Sequence, residues 1–444
     1  MHRAYAMLLA AATTAAPLPT PQTPSAYEGL YQSLTGLRAD PGKVGQVQNL
    51  VLTREAAKFT LTSGTIQLLS PVGGRTVAAV FTGQGTFDFV PSTDIEKDQL
   101  NRFIEKREIH ESLTTAFFLF TDSTLAEISA KVRFAPGDAG GANDIASDAL
   151  DYLKFDETKA FDADLLRSIA NTDGRPAFYA QVKAHDTYMV TLNPYDAESV
   201  QLLRPVDRAR HKVSEVLCQF RAVGAPRDTN PLGRDRPLEP IVRSYQVETW
   251  LPRDAFGNVS FSATATITVS ALHPIGPWIP FVLYSELLLD SVRTPSGVPV
   301  VSWKAKDNSV AWLKLSRPLD PSRVDTLRLF YHGDLIERFG DWFFIKTSGT
   351  WYPRALGVRE ASTFDLTFHS PARYVLQSVG DRTDSTVTNE VINTRWVARS
   401  PMRNATFNLG LFTRHQELVD GAPPVTVLFS EAGHRALASA LVEG

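Results

Sequence analysis

Alternation of apolar and polar residues dominates the chain and predicts strands. Phe364-Asp365-Leu366-Thr367-Phe368 alternates at every position, and Asn258 to Ser270 (NVSFSATATITVS) does so almost without interruption. A period of two places successive side chains on opposite faces of a sheet, as in a half-buried strand. The other strand candidates in the second half are Ser244–Trp250, Trp278–Leu289, Val298–Lys304, Ser309–Leu315, Asp325–Tyr331, Trp342–Ile345 and Tyr374–Val379.

The first half carries the same signal, with glycine-rich breaks and a few helical stretches between the strands. Its strand candidates are Val47–Thr53, Lys58–Thr62, Thr65–Leu69, Thr76–Phe81, Gly85–Val90, Thr114–Phe120, Phe178–Lys183, Thr187–Leu192 and Lys212–Arg221. Helical spacing begins at Tyr27, recurs from Asp148 to Ile169, and follows Ser92-Thr93-Asp94, where Glu96 completes a capping box with Thr93. Short, evenly spaced strands with glycine punctuation predict an antiparallel sandwich or meander.

These patterns predict a mainly β protein of two antiparallel β-rich sandwich or saddle modules, with most helices in the first module. The Ala225–Pro240 stretch (APRDTNPLGRDRPLEP) has four prolines and few hydrophobic residues, so we interpret residues 225–240 as a linker. The first module then spans residues 27–224 and the second residues 241–424. Residues 425–444 begin a further region, in which Ser430 to Val442 reads as a terminal helix.

The N-terminus has the order of a secretory signal. Basic residues precede an apolar run from Ala4 to Ala16, and a proline-rich leader follows, so residues 1–26 predict export to the periplasm or the exterior. The single cysteine, Cys218, cannot form an internal disulfide, and its apolar neighbours favour a buried structural thiol. The net charge of −3 gives no basic excess for nucleic acid, and no later stretch predicts a transmembrane helix.

Catalytic and metal-binding motifs are scarce. His110-Glu111 begins an H-E-x-x-H zinc signature, but Thr114 occupies the second histidine position, so we interpret the pair as an exposed polar turn. His185-Asp186 and His332-Gly333-Asp334 combine histidine with a carboxylate at predicted turns, without a nucleophile at a recognisable spacing. Asp138, Asn143 and Asp144 could hold calcium, although their loop lacks a fixed ligand order.

The second module resembles the N-terminal saddle domain of zinc aminopeptidases of the membrane alanyl aminopeptidase and leukotriene hydrolase type. Five stretches carry the resemblance, in order: Tyr245–Pro252, Ala263–Val269, Phe281–Leu289, Arg328–Gly333, and Trp351-Tyr352-Pro353 with Phe364–Pro371. The first module resembles an extension carried by secreted bacterial members. In that family the catalytic domain follows the saddle, and it supplies the H-E-x-x-H helix and the zinc.

The resemblance implies that this chain is a noncatalytic N-terminal portion, which would shape the peptide-binding cleft and pack against a C-terminal peptidase domain. None of the catalytic motifs is present, so the expectation is no cofactor, no metal site and no catalytic residue in this chain, with zinc in the missing domain. A truncated end would leave the terminal segment poorly anchored, with Leu437, Leu441 or Val442 exposed.

Trp351 and Tyr352 are the only substrate-binding candidates. Aromatic rings are usually core, which favours a packed corner. The resemblance instead places the loop at the rim of a cleft and predicts partial exposure of at least one ring.

Two other functions remain open on the sequence. One is a stand-alone β-sandwich binding or adhesion module of the cell envelope. The other is an unrecognised hydrolase that uses His185 or His332.

Overall fold

The computed structural model describes residues 26–138, 140–153, 161–171, 175–208, 211–223, 236–306, 308–357, 361–417, 421 and 425–430. The predicted signal segment before Ala26 and the predicted helix after Ser430 lie outside the described residues. Within them, the chain is mainly β, with five helices and several antiparallel sheets, as the sequence patterns predicted. No helix among these residues is long and apolar enough to cross a membrane.

The first module is built on one nine-stranded antiparallel sheet in the order β5-β1-β2-β3-β4-β6-β7-β8-β9. Its strands are β1 (Ala39–Arg54), β2 (Ala57–Leu69), β3 (Ala78–Phe89), β4 (Ile109–Phe120), β5 (Phe134–Ala135), β6 (Phe178–Lys183), β7 (Thr187–Leu192), β8 (Val200–Arg208) and β9 (His211–Phe220). The five helices also belong to this module: α1 (Ala26–Thr35), α2 (Asp94–Ile104), α3 (Thr124–Lys131), α4 (Ala142–Leu153) and α5 (Phe161–Ala170). At α2, the predicted capping box is present, with the Thr93 backbone N–H donating to Glu96 at 3.0 Å.

Glycines bend the long strands of this sheet instead of ending them. Lys58–Thr62 and Thr65–Leu69 were predicted as separate strands but form the single strand β2, and Thr76–Phe81 and Gly85–Val90 similarly fuse into β3. Gly64 pairs with Gly83 across the two strands, where a Cβ on Gly64 would lie 2.3 Å from the Thr82 carbonyl oxygen. The glycines therefore permit a close backbone approach inside a continuous ladder.

The His110-Glu111 pair, predicted as an exposed turn, lies within strand β4.

The second module contains a ten-stranded sheet in the order β12-β15-β14-β13-β16-β11-β10-β19-β22-β21, which packs against the four-stranded sheet β17-β18-β23-β20. The strands are β10 (Ile241–Trp250), β11 (Phe261–Ser270), β12 (Trp278–Val282), β13 (Leu287–Arg293), β14 (Pro299–Lys304), β15 (Val310–Lys314), β16 (Asp325–Gly333), β17 (Ile336–Phe339), β18 (Trp342–Ile345), β19 (Ser362–Pro371), β20 (Val375–Ser378), β21 (Asp381–Thr388), β22 (Val391–Met402) and β23 (Phe407–Gly410). A separate hairpin joins β24 (Thr413–Glu417) to β25 (Val425–Phe429).

In the second module, two features differ from what the sequence patterns predicted. The predicted strand Trp278–Leu289 is two strands, β12 and β13, because a turn at Tyr284 separates them and sends them to different partners. The β21–β22 hairpin was not predicted, since its outer strand is exposed at every position and shows no apolar alternation. Its turn residues Asn389 and Glu390 both have positive φ values, 50° and 63°.

The two modules share a packed interface. Tyr27 of α1 is fully buried, and its ring stacks on Trp312 at 4.3 Å and contacts Trp278 at 4.6 Å between centroids. The Asn171 side chain donates to the Trp278 carbonyl and accepts from the Trp278 N–H, both at 3.1 Å. Of the predicted linker, residues 236–240 are described, and they are buried at this junction.

Candidate functional site

The Trp351-Tyr352 corner is packed inside the second module. Trp351 is 0% exposed and Tyr352 is 1% exposed. The Trp351 indole N–H donates to the Ala405 carbonyl at 2.9 Å, and its ring packs edge-on against Phe407 with 5.2 Å between centroids. The Tyr352 ring meets Tyr245 edge-on at 4.9 Å. Each ring therefore has its apolar face covered by neighbouring aromatic rings.

The prediction of partial exposure for this corner is wrong. The connection from β18 to β19 contacts the β22–β23 connection through the Trp351–Ala405 hydrogen bond, and both rings lie in the core. Arg354 ties the corner to both connections, donating to the Gly349 carbonyl at 2.8 Å and to the Arg403 carbonyl at 3.0 Å. Substrate contact by Trp351 or Tyr352 stays a prediction, and it would require this corner to open.

An open groove lies at the end of the ten-stranded sheet, between the β10–β11 connection and the start of β17. It holds about 420 Å³, and its lining residues are Asp254, Asn258, Val259, Ser260, Gly333, Asp334, Ile336, Arg338 and Phe343. The wall is thus apolar at three side chains, and the rest of the lining is polar or glycine. Phe256 and Phe339, close in sequence to this lining, are 87% and 61% exposed. We call this surface the arginine groove, after the residues described next.

Two guanidinium groups meet beside Gly257: that of Arg338, which lines the groove, and that of Arg253, which precedes the lining residue Asp254. Gly257 has φ of +89°, and a Cβ placed on it would lie 2.9 Å from Nη2 of Arg253 and 3.2 Å from Nη1 of Arg338. Both arginines are exposed. Arg338 also donates from Nε to the Gly340 carbonyl at 3.0 Å. Among the residues that the structure describes, no carboxylate pairs with either guanidinium.

The carboxylates of the arginine groove already have partners. Asp254 accepts from the backbone N–H of Asn258 at 2.8 Å and from its side-chain amide at 3.1 Å, and these bonds hold the pKa of the Asp254 carboxyl below its usual value. Asp334 accepts from Lys346 at 2.7 Å. Hydrogen bonds to Asp334 and Glu286 raise the Lys346 pKa. The groove therefore has two ionised acids that are already hydrogen-bonded, beside two arginines that have no ion pair among the described residues.

A second group of charges is buried between the modules. This junction cluster consists of Asp164 and Arg167 on α5, Asp196 after β7, and Arg236 and Glu239 before β10. Arg236 contacts all three acids, with distances of 2.6 Å to Asp164, 2.5 Å to Asp196 and 2.8 Å to Glu239. Arg167 donates to Glu239 at 2.9 Å.

The junction cluster contains two cations and three acids. Burial raises the pKa of the Asp196 carboxyl to about 6, and Asp164 and Glu239 add to this effect while Arg236 opposes it. Such a cluster fixes the α5 end of the first module to the segment that enters the second.

The histidine candidates make local contacts. The rings of His110 and His332 lie within hydrogen-bond distance of Asp88 and Asp290, at 2.9 Å each. His185 donates its backbone N–H to Glu111 at 3.1 Å. In the described part of the chain, no group of three or more His, Cys, Asp or Glu residues could hold a metal ion.

The other candidates serve the local fold. Asp138 accepts from the Gly140 N–H at 2.9 Å, and Asn143 accepts from the Ala39 N–H at 2.8 Å, so two of the three calcium candidates already have hydrogen-bond partners within the chain. Cys218 is buried, and burial raises the pKa of its thiol to about 12, which leaves it protonated at neutral pH.

The sequence patterns did not reveal the arginine groove or the junction cluster. Arg253 and Arg338 are 85 positions apart in the sequence, and each is one charge among many. A signal did exist for the cluster, since Arg236 and Glu239 stand three residues apart in a stretch poor in hydrophobic residues. That composition instead predicts a linker over residues 225–240.

Comparisons with known proteins give matches among solved structures. No protein-family model matches the chain, and no curated protein matches it significantly. Among solved structures, it is similar to an M1 zinc metallopeptidase from Deinococcus radiodurans, with 20% identity and a TM-score of 0.37 over 42% of this chain and 46% of that one. A mutant of that metallopeptidase bound to a Tyr-Ser-Ala substrate aligns at 19% identity and a TM-score of 0.37, over 44% and 47%. The chain spans less than half the length of these structures.

Proposed function

We propose that this chain is the noncatalytic N-terminal portion of an exported zinc metallo-aminopeptidase-like protein. One observation carries the proposal: five of the segments that resemble the saddle domain form neighbouring strands of one sheet. Four of them lie on β16, β11, β10 and β19, and the last residues of the fifth, Leu287–Leu289, lie on β13. These strands are adjacent in the order β13-β16-β11-β10-β19. Segments separated by up to about a hundred residues thus become one continuous surface.

The chain's own part in this function is structural. The described residues offer no donor set that fits a zinc ion, so no catalytic step is assigned to them. The ten-stranded sheet would shape the peptide cleft, and the peptidase domain would be its partner. The metal would belong to that domain, where it would activate water for attack on the first peptide bond.

The test compares this chain with the longest polypeptide that its gene encodes. We expect the reading frame to continue into an H-E-x-x-H helix, and the longer protein to hydrolyse aminoacyl arylamides when zinc is present. The 444-residue chain alone should be inactive under the same conditions. The matched control is the longer protein with the glutamate of that motif changed to glutamine. Tight, stoichiometric zinc binding by the 444-residue chain, or a cellular protein whose intact mass ends at Gly444, would contradict the proposal.

The second candidate, a stand-alone envelope binding module, is favoured by the outer face of the four-stranded sheet. Trp342 and Phe344 are half-buried there, and the Trp342 ring contacts Phe339, Phe344 and Phe412 at 6.0, 6.0 and 6.5 Å. Exposed aromatic surface of this kind often marks an interaction site. A genuine stop after Gly444, together with cell-surface binding that is lost in Trp342→Ala, would favour this function.

Export is a separate part of the proposal, supported by the order of residues in the leader. Residues 1–26 fused to a reporter without its own signal should carry that reporter out of the bacterial cytoplasm. A matched fusion with Leu8→Arg and Leu9→Arg, which interrupts the apolar run, should retain it. Equal export of both fusions would contradict a secretory signal.

A further inference from the structure

We propose that the arginine groove binds a carboxylate carried on an apolar body, with Arg253 and Arg338 as the residues that hold the carboxylate. The proposal does not rest on the aminopeptidase function. It starts from the spacing of the two guanidinium groups. Nη2 of Arg253 and Nη1 of Arg338 lie 2.9 and 3.2 Å from the position that a Cβ on Gly257 would take, so these two nitrogens are no more than about 6 Å apart. One oxyanion spans that separation, because each N–H···O bond takes about 3 Å.

Two exposed cations at this spacing repel each other, and the described residues place no carboxylate between them. An anion that bridges the two guanidinium groups on their exposed side relieves the repulsion and gains charge-assisted hydrogen bonds from both. Gly257 contributes by having no Cβ, since a Cβ there would press against Arg253 at 2.9 Å and against Arg338 at 3.2 Å. The planar, multiply donating guanidinium also matches the geometry of a carboxylate better than an ammonium would.

The acids of the groove do not fill this role. Asp254 is occupied by Asn258, and Asp334 by Lys346. Both carboxylates remain part of the groove lining. Their negative charges disfavour a ligand that itself carries several negative charges. A ligand with a single carboxylate fits this charge distribution best.

The apolar wall selects the rest of the ligand. Val259, Ile336 and Phe343 line the groove beside Arg338, and the Arg338 guanidinium carbon lies 5.8 Å from the centroid of the Phe343 ring. A hydrocarbon or aromatic group attached to the carboxylate would lie against this wall. The volume of about 420 Å³ is in the range of a small-molecule site. The C-terminal residue of a peptide has the required chemistry, as does a free carboxylic acid with an apolar side chain.

The experiment uses the 444-residue chain and three probes in titrations followed by NMR or calorimetry at constant ionic strength. N-acetylphenylalanine carries both features of the ligand, its amide lacks the carboxylate, and inorganic phosphate lacks the apolar body. We expect N-acetylphenylalanine to bind at about millimolar affinity and each of the other probes to bind at least about tenfold more weakly.

Variants identify the site. Arg253→Gln and Arg338→Gln should each weaken N-acetylphenylalanine about tenfold, since each removes one charge-assisted contact. The matched control is Arg382→Gln, which removes the same charge from the exposed edge strand β21 and should leave binding unchanged. Equal binding of the amide, equal binding of phosphate, or equal loss in the Arg382 control would each overturn the proposal. All three variants should keep the melting temperature of the parent chain, which separates loss of binding from loss of folding.

Discussion

The junction cluster and the arginine groove use the same residue types in opposite environments. In the junction cluster, Asp164 and Glu239 are 0% exposed, and each charge touches an opposite charge. At the arginine groove, Arg253 and Arg338 are exposed, lie close together beside Gly257, and have no ion pair among the described residues. Burial forces complete pairing, because an isolated buried charge costs several kcal/mol, whereas water solvates an unpaired exposed charge cheaply. Charges that hold the modules together are therefore unavailable to ligands, and those in the groove remain available.

Removal of the central arginine of the junction cluster should have the largest effect on stability. Arg236→Leu leaves Asp164 and Glu239 buried without their shared partner, so we expect the free energy of unfolding to fall by about 3–5 kcal/mol. Chemical denaturation followed by tryptophan fluorescence measures the change. Arg338→Leu in the arginine groove is the matched control and should cost less than about 1 kcal/mol. Equal losses in the two variants would mean that burial does not distinguish the two regions.

The pH dependence of stability should reveal the excess acid in the junction cluster. The Asp196 pKa is about 6 in the folded protein, above its usual value of 3.8. The folded state therefore holds a proton that the unfolded state releases, and the ionised carboxylate is unfavourable above pH 6. As the pH falls from 7 to 4, the parent chain should gain up to about 3 kcal/mol relative to Asp196→Asn. Parallel stability curves for the two proteins would contradict the raised pKa.

The ion pairs of Lys346 at the edge of the arginine groove should contribute little. Lys346→Met removes contacts to Glu286 and Asp334, which are 45% and 70% exposed at their side chains. Water and salt screen such pairs, so we expect a loss of at most about 1 kcal/mol. Denaturation at low and at high salt tests this prediction, since the difference between parent and variant should shrink as salt increases. A larger, salt-independent loss would place Lys346 among the structural charges.

The smallest effect on stability is expected for Arg253. Its guanidinium has no ion pair within the described residues, so Arg253→Gln should change the free energy of unfolding by no more than about 0.5 kcal/mol. It could even stabilise the chain slightly, because it removes the repulsion from Arg338. The matched control is Arg293→Gln, which replaces another exposed arginine. Chemical denaturation of both variants gives the comparison. A loss above about 1 kcal/mol would show that Arg253 serves the fold, and the contrast with the junction cluster would weaken.

The sequence predicted local structure well where one strand or turn carried its own signal. The hairpin of β6 and β7 has the predicted bounds, and α2 has the predicted capping box, because alternation and capping depend on residues a few positions apart. Errors appeared where the partner strand decided the outcome. Gly64 and Gly83 looked like breaks, yet they pair with each other inside a ladder. The edge strand β21 gave no apolar signal, since both of its faces are exposed.

The candidate site was harder to predict than the fold. Trp351 and Tyr352 are large aromatics next to a proline, a composition found both in packed corners and in binding loops. Their environment depends on Phe407 and Ala405, more than fifty positions away, so only the folded chain decides between the two. The same holds for the residues 236–240, whose polarity resembles that of a solvated linker.

The sequence by itself determined the β-rich class, most strand positions and the absence of a recognisable catalytic motif, since these depend on local periodicity and residue type. The tertiary structure decided which charges are buried and which are paired. Asp164, Asp196, Arg236 and Glu239 become one cluster, and Arg253 meets Arg338, only when distant segments pack together. The free energy of a charge depends on its neighbours and its solvent, and neither is encoded in the residues beside it.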